Sequence, residues 1–203
     1  MIPAKNVKNG NAVLSIIIIL ALLVGIAWYA YKQELEKIVE SNPNDMANWP
    51  SYQNESYGLS FKYPPHYFLE EKEVGNGERK HYAIILTEDT EENRLVREGK
   101  SPGREGPIAI TFDVYQNNLD KLSLIDWLTK TNASNFKLSE GTYATTTIAS
   151  INGINYRWSG LYEADAVAFL HKENIIAATA TYIAPEDSTL KDFEKILETI
   201  HLD

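Results

Sequence analysis

The feature that most constrains this chain is an uncharged apolar run near its beginning, from Ala12 to Ala30. As a helix with about 1.5 Å rise per residue, this run would be roughly 28 Å long, close to the ~30 Å hydrocarbon thickness of a bilayer. Lys5 and Lys8 precede it with no acidic residue in between, so we expect the N-terminus to stay in the cytoplasm. Trp28 and Tyr29 lie where aromatic residues meet the far interface. The run therefore predicts a single-pass membrane protein whose C-terminal part is extracytoplasmic.

Two other kinds of leader remain open for this segment. A cleaved signal peptide has an apolar core of about 7–15 residues and small residues before the cut, whereas this run is longer and Trp28 stands two residues before Ala30. A pilin-like leader is consistent with Gly10, but Ser15 stands where pilins carry a glutamate. A lipoprotein is excluded because the chain has no cysteine to acylate. The favoured interpretation is an uncleaved signal anchor.

The chain beyond the anchor has the size of one domain. We expect residues 1–11 to form a cytoplasmic N-terminus, 12–31 the transmembrane anchor, 32–49 a stalk and linker, and 50–203 an extracytoplasmic domain. Without the two cytoplasmic lysines, 17 of the 19 basic residues remain against 28 acidic ones, which gives the exported part a net charge of −11. This acidic balance argues against nucleic acid as a partner. The lack of cysteine excludes disulfides, thiol catalysis and cysteine-bound metals.

Seven stretches with alternating or continuous apolar residues predict β-strands. They are Leu59–Tyr63, His81–Thr87, Ile108–Tyr115, Tyr143–Ile151, Ile154–Tyr162, Ala166–His171 and Ile175–Ile183. Asn152-Gly153 is the residue pair favoured in a type I′ hairpin turn, because both central residues need positive φ. Lys172, Glu173 and Asn174 are expected to form the turn before the last strand. Glu88 to Pro107, rich in charged residues, Gly and Pro, is expected to form a long mobile loop.

Two helices are predicted beside these strands. Ser123 is expected to cap the first, whose apolar side consists of Leu124, Ile125, Trp127 and Leu128. The second follows Pro185, and its apolar side consists of Leu190, Phe193, Ile196, Leu197 and Ile200. Tight hairpins join antiparallel strands, and each helix must bury its apolar side on the sheet. The sequence therefore predicts an α+β fold with a central antiparallel sheet flanked by helices.

Three segments resemble the PsbP-like family. The segment from Tyr57 to Tyr67, Tyr-Gly-Leu-Ser-Phe-Lys-Tyr-Pro-Pro-His-Tyr, resembles the family's opening motif, an extended Tyr-Gly-Phe-Ser-Phe-x-Tyr-Pro stretch that leads into an aromatic residue. Tyr156-Arg157-Trp158 after the Asn-Gly pair, and a closing helix of the Phe193-x-x-Ile196-Leu197-x-x-Ile200 type, are also similar to that family. The resemblance covers roughly residues 50–203 and implies an α/β/α sandwich.

The resemblance carries over little about function. Plant members of the family bind the lumenal side of photosystem II and help to retain calcium and chloride, whereas bacterial relatives are mostly exported domains of unsettled role. This chain departs from the photosynthetic protein in having its own predicted anchor, and Tyr67 stands in the position usually held by Trp. The matching positions build the fold, so no metal site or photosystem contact can be transferred to them.

The sequence shows no catalytic constellation. Its histidines, His66, His81, His171 and His201, have no metal-ligand spacing or HExxH-like frame. His81 and His171 lie at predicted strand ends, and they are interpreted as ordinary edge residues unless the fold brings those ends together. Ser159-Gly160 lacks the preceding Gly-x of a nucleophile elbow.

The weak candidates for a metal site are four acidic residues of the predicted loop. They are Glu88, Asp89, Glu91 and Glu92. Their carboxylates are ligands that calcium prefers, but the run lacks the D-x-[DN]-x-[DN]-G pattern that bends a chain around the ion. A solvated loop is the favoured interpretation, calcium is the alternative, and no other cofactor is expected.

A dense set of aromatic residues can serve either sheet packing or an exposed binding patch. Its members are Tyr52, Tyr57, Tyr63, Tyr67, Phe68, Tyr82, Tyr156, Trp158 and Tyr162.

The sequence favours a membrane-anchored, extracytoplasmic, non-enzymatic domain that binds or helps to assemble a protein partner at the outer membrane face. Contact would be made through its sheet or through the Glu88–Pro107 loop. The alternative is a calcium or small-molecule binding or sensor domain. A hydrolase would require a pocket with a coupled nucleophile and base, which the sequence does not indicate.

Overall fold

A computed structural model describes residues 24–30, 32, 46–77, 80–101, 106–117 and 121–203. The chain divides into two compact units, Met1–Asn48 and Trp49–Asp203. In the first unit, residues 24–30 are helical and Met46–Asn48 form a 3-10 turn. Among the described residues no helix is long and apolar enough to cross a membrane. The predicted anchor lies largely outside the described residues, and it stays a prediction together with the domain boundaries and the orientation.

The second unit contains ten strands and three α-helices in its described residues. The strands are β1 (Ser51–Asn54), β2 (Leu59–Lys62), β3 (Tyr67–Val74), β4 (His81–Glu88), β5 (Ile110–Gln116), β6 (Ala144–Ile148), β7 (Ile151–Ser159), β8 (Glu163–His171), β9 (Asn174–Tyr182) and β10 (His201–Leu202). The helices are α1 (Glu91–Arg97), α2 (Leu124–Lys130) and α3 (Ser188–Glu198), with a 3-10 turn at Phe136–Leu138.

All strand pairs are antiparallel and form two sheets. The larger sheet has seven strands in the order β3-β4-β5-β9-β8-β7-β6, and the smaller has the order β1-β2-β10. The paired residues Tyr82↔Val114 and Phe112↔Ala178 set the register through the middle of the larger sheet. This arrangement confirms the predicted antiparallel α+β fold.

The two faces of the large sheet are covered by different elements. Tyr115 and Phe112 of β5 point to opposite faces because side chains alternate along a strand. Tyr115 packs on Trp127 of α2, with ring centroids 5.0 Å apart, so we call this side the α2 face. Phe112 stacks on Phe61 of the small sheet at 4.3 Å, and α3 contacts both β2 and β9, so we call the other side the α3 face. Helices on both faces agree with the predicted sandwich.

The predicted helix ends agree with the structure. Ser123 caps α2, because its hydroxyl oxygen accepts a hydrogen bond from the backbone N–H of Asp126 at 3.2 Å. Along α3, Phe193 and Ile196 are buried, and Ile200 is buried just past the end of the helix. The predicted strands are all present, with bounds that differ by a few residues, whereas β1, β3 and β10 were missed.

The predicted Asn-Gly turn is wrong. Ile148 pairs with Ile151, so the two-residue turn consists of Ala149 and Ser150, which have φ of 45° and 69°. Gly153 lies within β7 opposite Phe169, and a Cβ at this glycine would lie 3.0 Å from the Ala168 carbonyl oxygen. The glycine therefore serves the close approach of β7 to β8. Two left-handed non-glycine residues are tolerated at the turn because this register buries Phe169 completely.

The segment predicted as a mobile loop contains helix α1, Glu91–Arg97. Thr90 caps this helix by accepting a hydrogen bond from the Asn93 N–H at 3.2 Å. The Arg97 guanidinium lies 4.0 Å from the centre of the Phe68 ring and donates a hydrogen bond to Asp89 at 2.7 Å. The described part of this segment is therefore fastened to β3 and β4.

Candidate functional site

A cleft of about 710 Å³ opens where β4 and β5 end beside α2. We call it the aromatic cleft, and it is lined by residues of the β1–β2 turn, β3 to β5, and the C-terminal end of α2 and the chain that follows. Its aromatic lining consists of Tyr57, Tyr82, Tyr115 and Trp127, and its titratable polar lining of Glu73, Lys80, His81 and Lys130.

The back wall of the cleft is a row of three rings. The β4–β5 register places His81 on the same face as Tyr115, and their ring centroids are 4.3 Å apart in a stacked arrangement. Tyr115 then packs on Trp127, and its hydroxyl donates to the Ala133 carbonyl at 3.4 Å. Trp127 is held in turn because the Thr131 hydroxyl donates to its carbonyl oxygen at 2.7 Å. The wall is thus fixed before any ligand enters.

His81 is paired with a carboxylate beside the cleft. Its Nε2 lies 3.0 Å from Oδ1 of Asp113, and the Thr111 hydroxyl donates to the other carboxylate oxygen at 3.0 Å. The side chains of His81 and Asp113 are only 12% and 21% exposed. A histidine–carboxylate pair can act as a general base when a nucleophile lies on the histidine side. Thr111 lies on the carboxylate side, so its hydroxyl is not placed to be activated by the ring.

The opposite wall contains tyrosines beside carboxylates. The rings of Tyr57 and Tyr82 are 5.2 Å apart. Burial raises the pKa of Tyr57, and the nearby Glu73 carboxylate raises it further. Burial also raises the pKa of Tyr82, followed in effect by its hydrogen bond to Glu71. These phenols therefore keep their protons near neutral pH and serve as hydrogen-bond donors.

Glu71 is shared with a third tyrosine behind this wall. The Tyr52 hydroxyl donates to a Glu71 carboxylate oxygen and accepts a hydrogen bond from the Asn54 amide at 3.1 Å. Burial and this carboxylate raise the pKa of Tyr52. Tyr52 itself is 8% exposed, so it supports the wall and does not line the cleft.

Charges of both signs lie around the cleft mouth. Lys80 pairs with Glu73 at 2.8 Å, and Lys130 pairs with Asp126 one helical turn earlier at 2.8 Å. All four are at least 39% exposed at the side chain, so these ion pairs add little stability. They give a visiting molecule both a cation and an anion to meet.

A second concavity, of about 440 Å³, lies on the other face between α3 and strands β6 to β8. Leu190, Phe193 and Leu197 form its helical wall. On its floor, the Arg157 guanidinium binds Asp165 through two hydrogen bonds, of 2.5 and 2.8 Å. This groove is more apolar than the cleft, and its only ionic cluster is internally paired among the residues that line it.

The four weak calcium candidates lie around the start of α1. Asp89 is bound by Arg97, and Glu91 is bound by Arg94. Glu88 at the end of β4 accepts a hydrogen bond from the Ser188 hydroxyl at 3.4 Å, while Glu92 lies in the first turn of α1. In the described part of the chain, no group of three or more acidic or histidine side chains is arranged to hold a metal ion. Calcium binding by these residues stays a prediction.

The structure gives the other predicted residues separate surroundings. His66 lies 3.3 Å from the Asp192 carboxylate, which also accepts a hydrogen bond from Tyr67 at 3.2 Å. His171 is 8% exposed and borders Gly58, where a Cβ would lie 3.0 Å from the His171 Nε2. Burial lowers the pKa of His171, and the Lys172 charge lowers it further.

The predicted aromatic set divides between core and surface. Tyr52, Tyr67 and Tyr156 are buried, Phe68 is 40% exposed, and Tyr57, Tyr63, Tyr82, Trp158 and Tyr162 are half-buried. Sequence reasoning missed Asp113, Tyr115 and Trp127 as parts of a site. The alternating polar residues Thr111 and Asp113 in a predicted strand were the available signal, because polar positions within a central strand need partners.

Comparisons with known proteins support the fold. The solution structure of cyanobacterial PsbP (CyanoP) from Synechocystis sp. PCC 6803 matches with a TM-score of 0.51 and 10% identity, over 79% of this chain and 95% of that one. A crystal structure of a protein from Bacteroides thetaiotaomicron matches with a TM-score of 0.41 and 11% identity, over 75% of this chain and 48% of that one. No family model and no curated protein matches the sequence. The likeness to cyanobacterial PsbP confirms the PsbP-like fold.

Proposed function

We propose that this chain is a membrane-tethered, extracytoplasmic domain with a PsbP-like fold that binds a protein partner without catalysing a reaction. The observation that carries this proposal is the aromatic cleft. It combines tyrosine and tryptophan rings with neutral hydroxyl donors and a rim of both charges, a combination enriched in protein-binding surfaces. The fold it shares with cyanobacterial PsbP supports a binding role by analogy.

Binding suits the His81–Asp113 pair better than hydrolysis does. The ring is stacked on Tyr115 and held by Asp113, which orients it as a fixed hydrogen-bonding group. The hydroxyl of Thr111 is bonded to the carboxylate, where it completes the support of the ring. A fixed imidazole at a cleft wall suits recognition of a polar side chain of the partner.

The tether is supported by the sequence. An apolar run long enough to span a bilayer, followed by a short linker, would hold the domain near the outer membrane face. Such a tether raises the effective concentration of the domain toward other membrane proteins. The partner is therefore a membrane protein or a complex attached to one.

The segment from Glu88 to Pro107 is the second surface for this partner. Deleting it would remove Arg97 from the Phe68 ring and expose an apolar side chain that is already 40% accessible. Deletion would therefore confuse loss of binding with loss of folding. Reversing the charge of Glu91 and Glu92 at the exposed start of α1 tests the segment without removing the helix.

The test is affinity purification of the tagged full chain from detergent-solubilised native membranes after mild crosslinking. Wild type is compared with Lys130→Glu at the cleft, and Lys191→Glu on α3 serves as the matched control. One abundant partner retained by the control and lost with Lys130→Glu would support the cleft. Loss with a Glu91→Lys/Glu92→Lys variant alone would assign binding to α1. Equal recovery with all variants would contradict both surfaces.

A small-molecule function is the second candidate, because the cleft volume of about 710 Å³ falls in the range of about 300–1,000 Å³ typical of ligand pockets. A bound ligand raises the unfolding temperature by mass action. A thermal-shift panel of metabolites on the full chain, with millimolar calcium as one member, tests this candidate. A shift that Tyr57→Ala removes would place the ligand in the cleft, and the absence of any shift would exclude the tested compounds.

A further inference from the structure

The two outer strands of the large sheet differ in how they treat their exposed edges. Among the described strands, β3 pairs only with β4, and β6 pairs only with β7. β3 has four successive charged residues, from Glu70 to Glu73, which discourage another strand from pairing with it. β6 has the sequence Ala-Thr-Thr-Thr-Ile and lies in the uncharged stretch from Gly141 to Tyr156. The β6 edge therefore has none of the charges that protect β3.

The backbone of β6 offers an ordered set of unpaired groups. Ile148 and Ile151 flank the two-residue turn, so they form a hydrogen-bonded pair, and the pattern alternates from there. Ile148, Thr146 and Ala144 turn their N–H and C=O groups toward β7. Thr145 and Thr147 consequently turn theirs away from the sheet, where another strand can bind them.

The sequence of β6 is self-complementary about Thr146. An antiparallel second copy centred there would place Thr145 opposite Thr147 of the partner copy, in a hydrogen-bonded pair, and Thr146 opposite its own equivalent. Threonine–threonine pairs across strands are favourable. Ala144 would then face Ile148, and no charged residue would meet a like charge. In a chain of net charge −9, this uncharged hairpin is the edge where two copies approach at least electrostatic cost.

The same axis also accounts for an exposed aromatic residue. Tyr143 precedes β6 and is 48% exposed. About Thr146, it would lie opposite Ala149 of the second copy, a small residue of the exposed β6–β7 turn. A large ring would thus cover a small turn on both sides of the axis, which extends the contact beyond the five paired residues.

We infer that the β6 edge pairs with the β6 edge of a second copy of this chain, in an isologous antiparallel dimer centred on Thr146. The contact is short compared with stable dimer interfaces of about 1,200–2,000 Å², so the association is weak and depends on concentration. Self-association of this kind does not depend on whether the aromatic cleft binds a protein.

The first experiment uses disulfide trapping, since the chain has no cysteine and a single introduced one reports one position. At the axis, the two Thr146 Cα atoms would be about 4.5 Å apart, within the range of about 4.4–6.8 Å that disulfides require. The full chain with Thr146→Cys should form a disulfide dimer under mild oxidation. Thr145→Cys, one residue off the axis, and Lys72→Cys on β3 should largely lose this product. Equal trapping with Lys72→Cys would overturn the inference.

The second experiment measures mass with the β6 edge intact and blocked. Wild-type full chain in detergent should rise from 22.9 kDa toward twice that protein mass as its concentration increases, and Thr146→Lys should stay at 22.9 kDa. Dimers of both chains would assign association to another segment and overturn the inference. Monomers of both chains, without a Thr146→Cys disulfide, would also overturn it. Protection of the Thr145 and Thr147 amides from hydrogen exchange only after adding a different protein would assign the edge to that protein instead.

Discussion

The two faces of the large sheet are made by alternate residues of the same strands, yet they serve different ends. Phe112 on the α3 face is completely buried between the sheets, whereas the next residue, Asp113 on the α2 face, is 21% exposed at its side chain. Phe112 stacks on Phe61, whereas Asp113 holds His81 beside an open cleft. The comparison teaches that one face supplies stability and the other places polar groups where a partner can reach them.

The contrast has a physical cause in how completely each face is covered. The small sheet and α3 close one face with apolar side chains, so Ile84, Phe112 and Ile196 are each 0% exposed. α2 is only seven residues long and leaves the end of the opposite face open beside Tyr115. Polar groups at that end retain access to water, which makes them inexpensive to keep.

The largest expected effect is on the closed face. Phe112→Ala removes a ring that stacks on Phe61 in the densest part of the core, and such truncations cost about 3–5 kcal/mol in the free energy of unfolding. Denaturant unfolding of the full chain followed by tryptophan fluorescence measures this loss. A cost below about 1 kcal/mol would contradict the division between the faces.

Asp113→Asn tests the neighbouring residue on the open face. The amide keeps the shape of the side chain and loses the charge that holds the His81 ring, so we expect a cost of about 1 kcal/mol, typical of one hydrogen bond. The same unfolding experiment measures it beside Phe112→Ala. A loss as large as that of Phe112→Ala would show that the open face is also a stability element.

The closed face contains one buried histidine, and its protonation should make stability depend on pH. The pKa of His171 is lowered by burial and by Lys172, so the folded chain binds the proton less readily than the unfolded chain. Stability is therefore full above the ordinary histidine pKa of about 6.5 and decreases as the pH falls through the lowered value. Thermal unfolding at descending pH should show this decrease in wild type and a weaker one in His171→Gln. Identical pH profiles of the two chains would contradict it.

The smallest effect is expected at the cleft mouth. Lys130→Glu breaks an exposed ion pair with Asp126, so the unfolding free energy should change by less than about 0.5 kcal/mol. Lys191→Glu on α3 should be equally neutral, which makes the pair a clean test of binding. A large stability change at either position would disqualify that variant as a probe of partner capture.

The sequence predicted the fold where the signals are local or periodic. Ser123 and the apolar stripe of Phe193 and Ile196 were sufficient to place α2 and α3. The helix after Thr90 was missed because it has no buried residue, although its cap and its acidic first turn were present in the sequence. The Asn152-Gly153 turn failed because the register of β7 with β8, a long-range property, outweighed the local turn preference.

The candidate site was less predictable than the fold. Asp113 and His81 are 32 residues apart and meet only through the β4–β5 register, which the sequence does not reveal. The position of Trp127 against Tyr115 likewise depends on where α2 packs on the sheet. The charged candidates Asp89 and Glu91 looked available in sequence, yet arginines of the same segment bind them.

The most direct test of the central claim, that the open face is the binding face, is site-specific photo-crosslinking in the full chain in its native membrane. A photoreactive amino acid would replace Lys130 at the aromatic cleft or, in a matched variant, Lys191 on α3. The account predicts one discrete crosslinked partner from position 130 and none from position 191. A discrete adduct from position 191 with none from position 130 would contradict it.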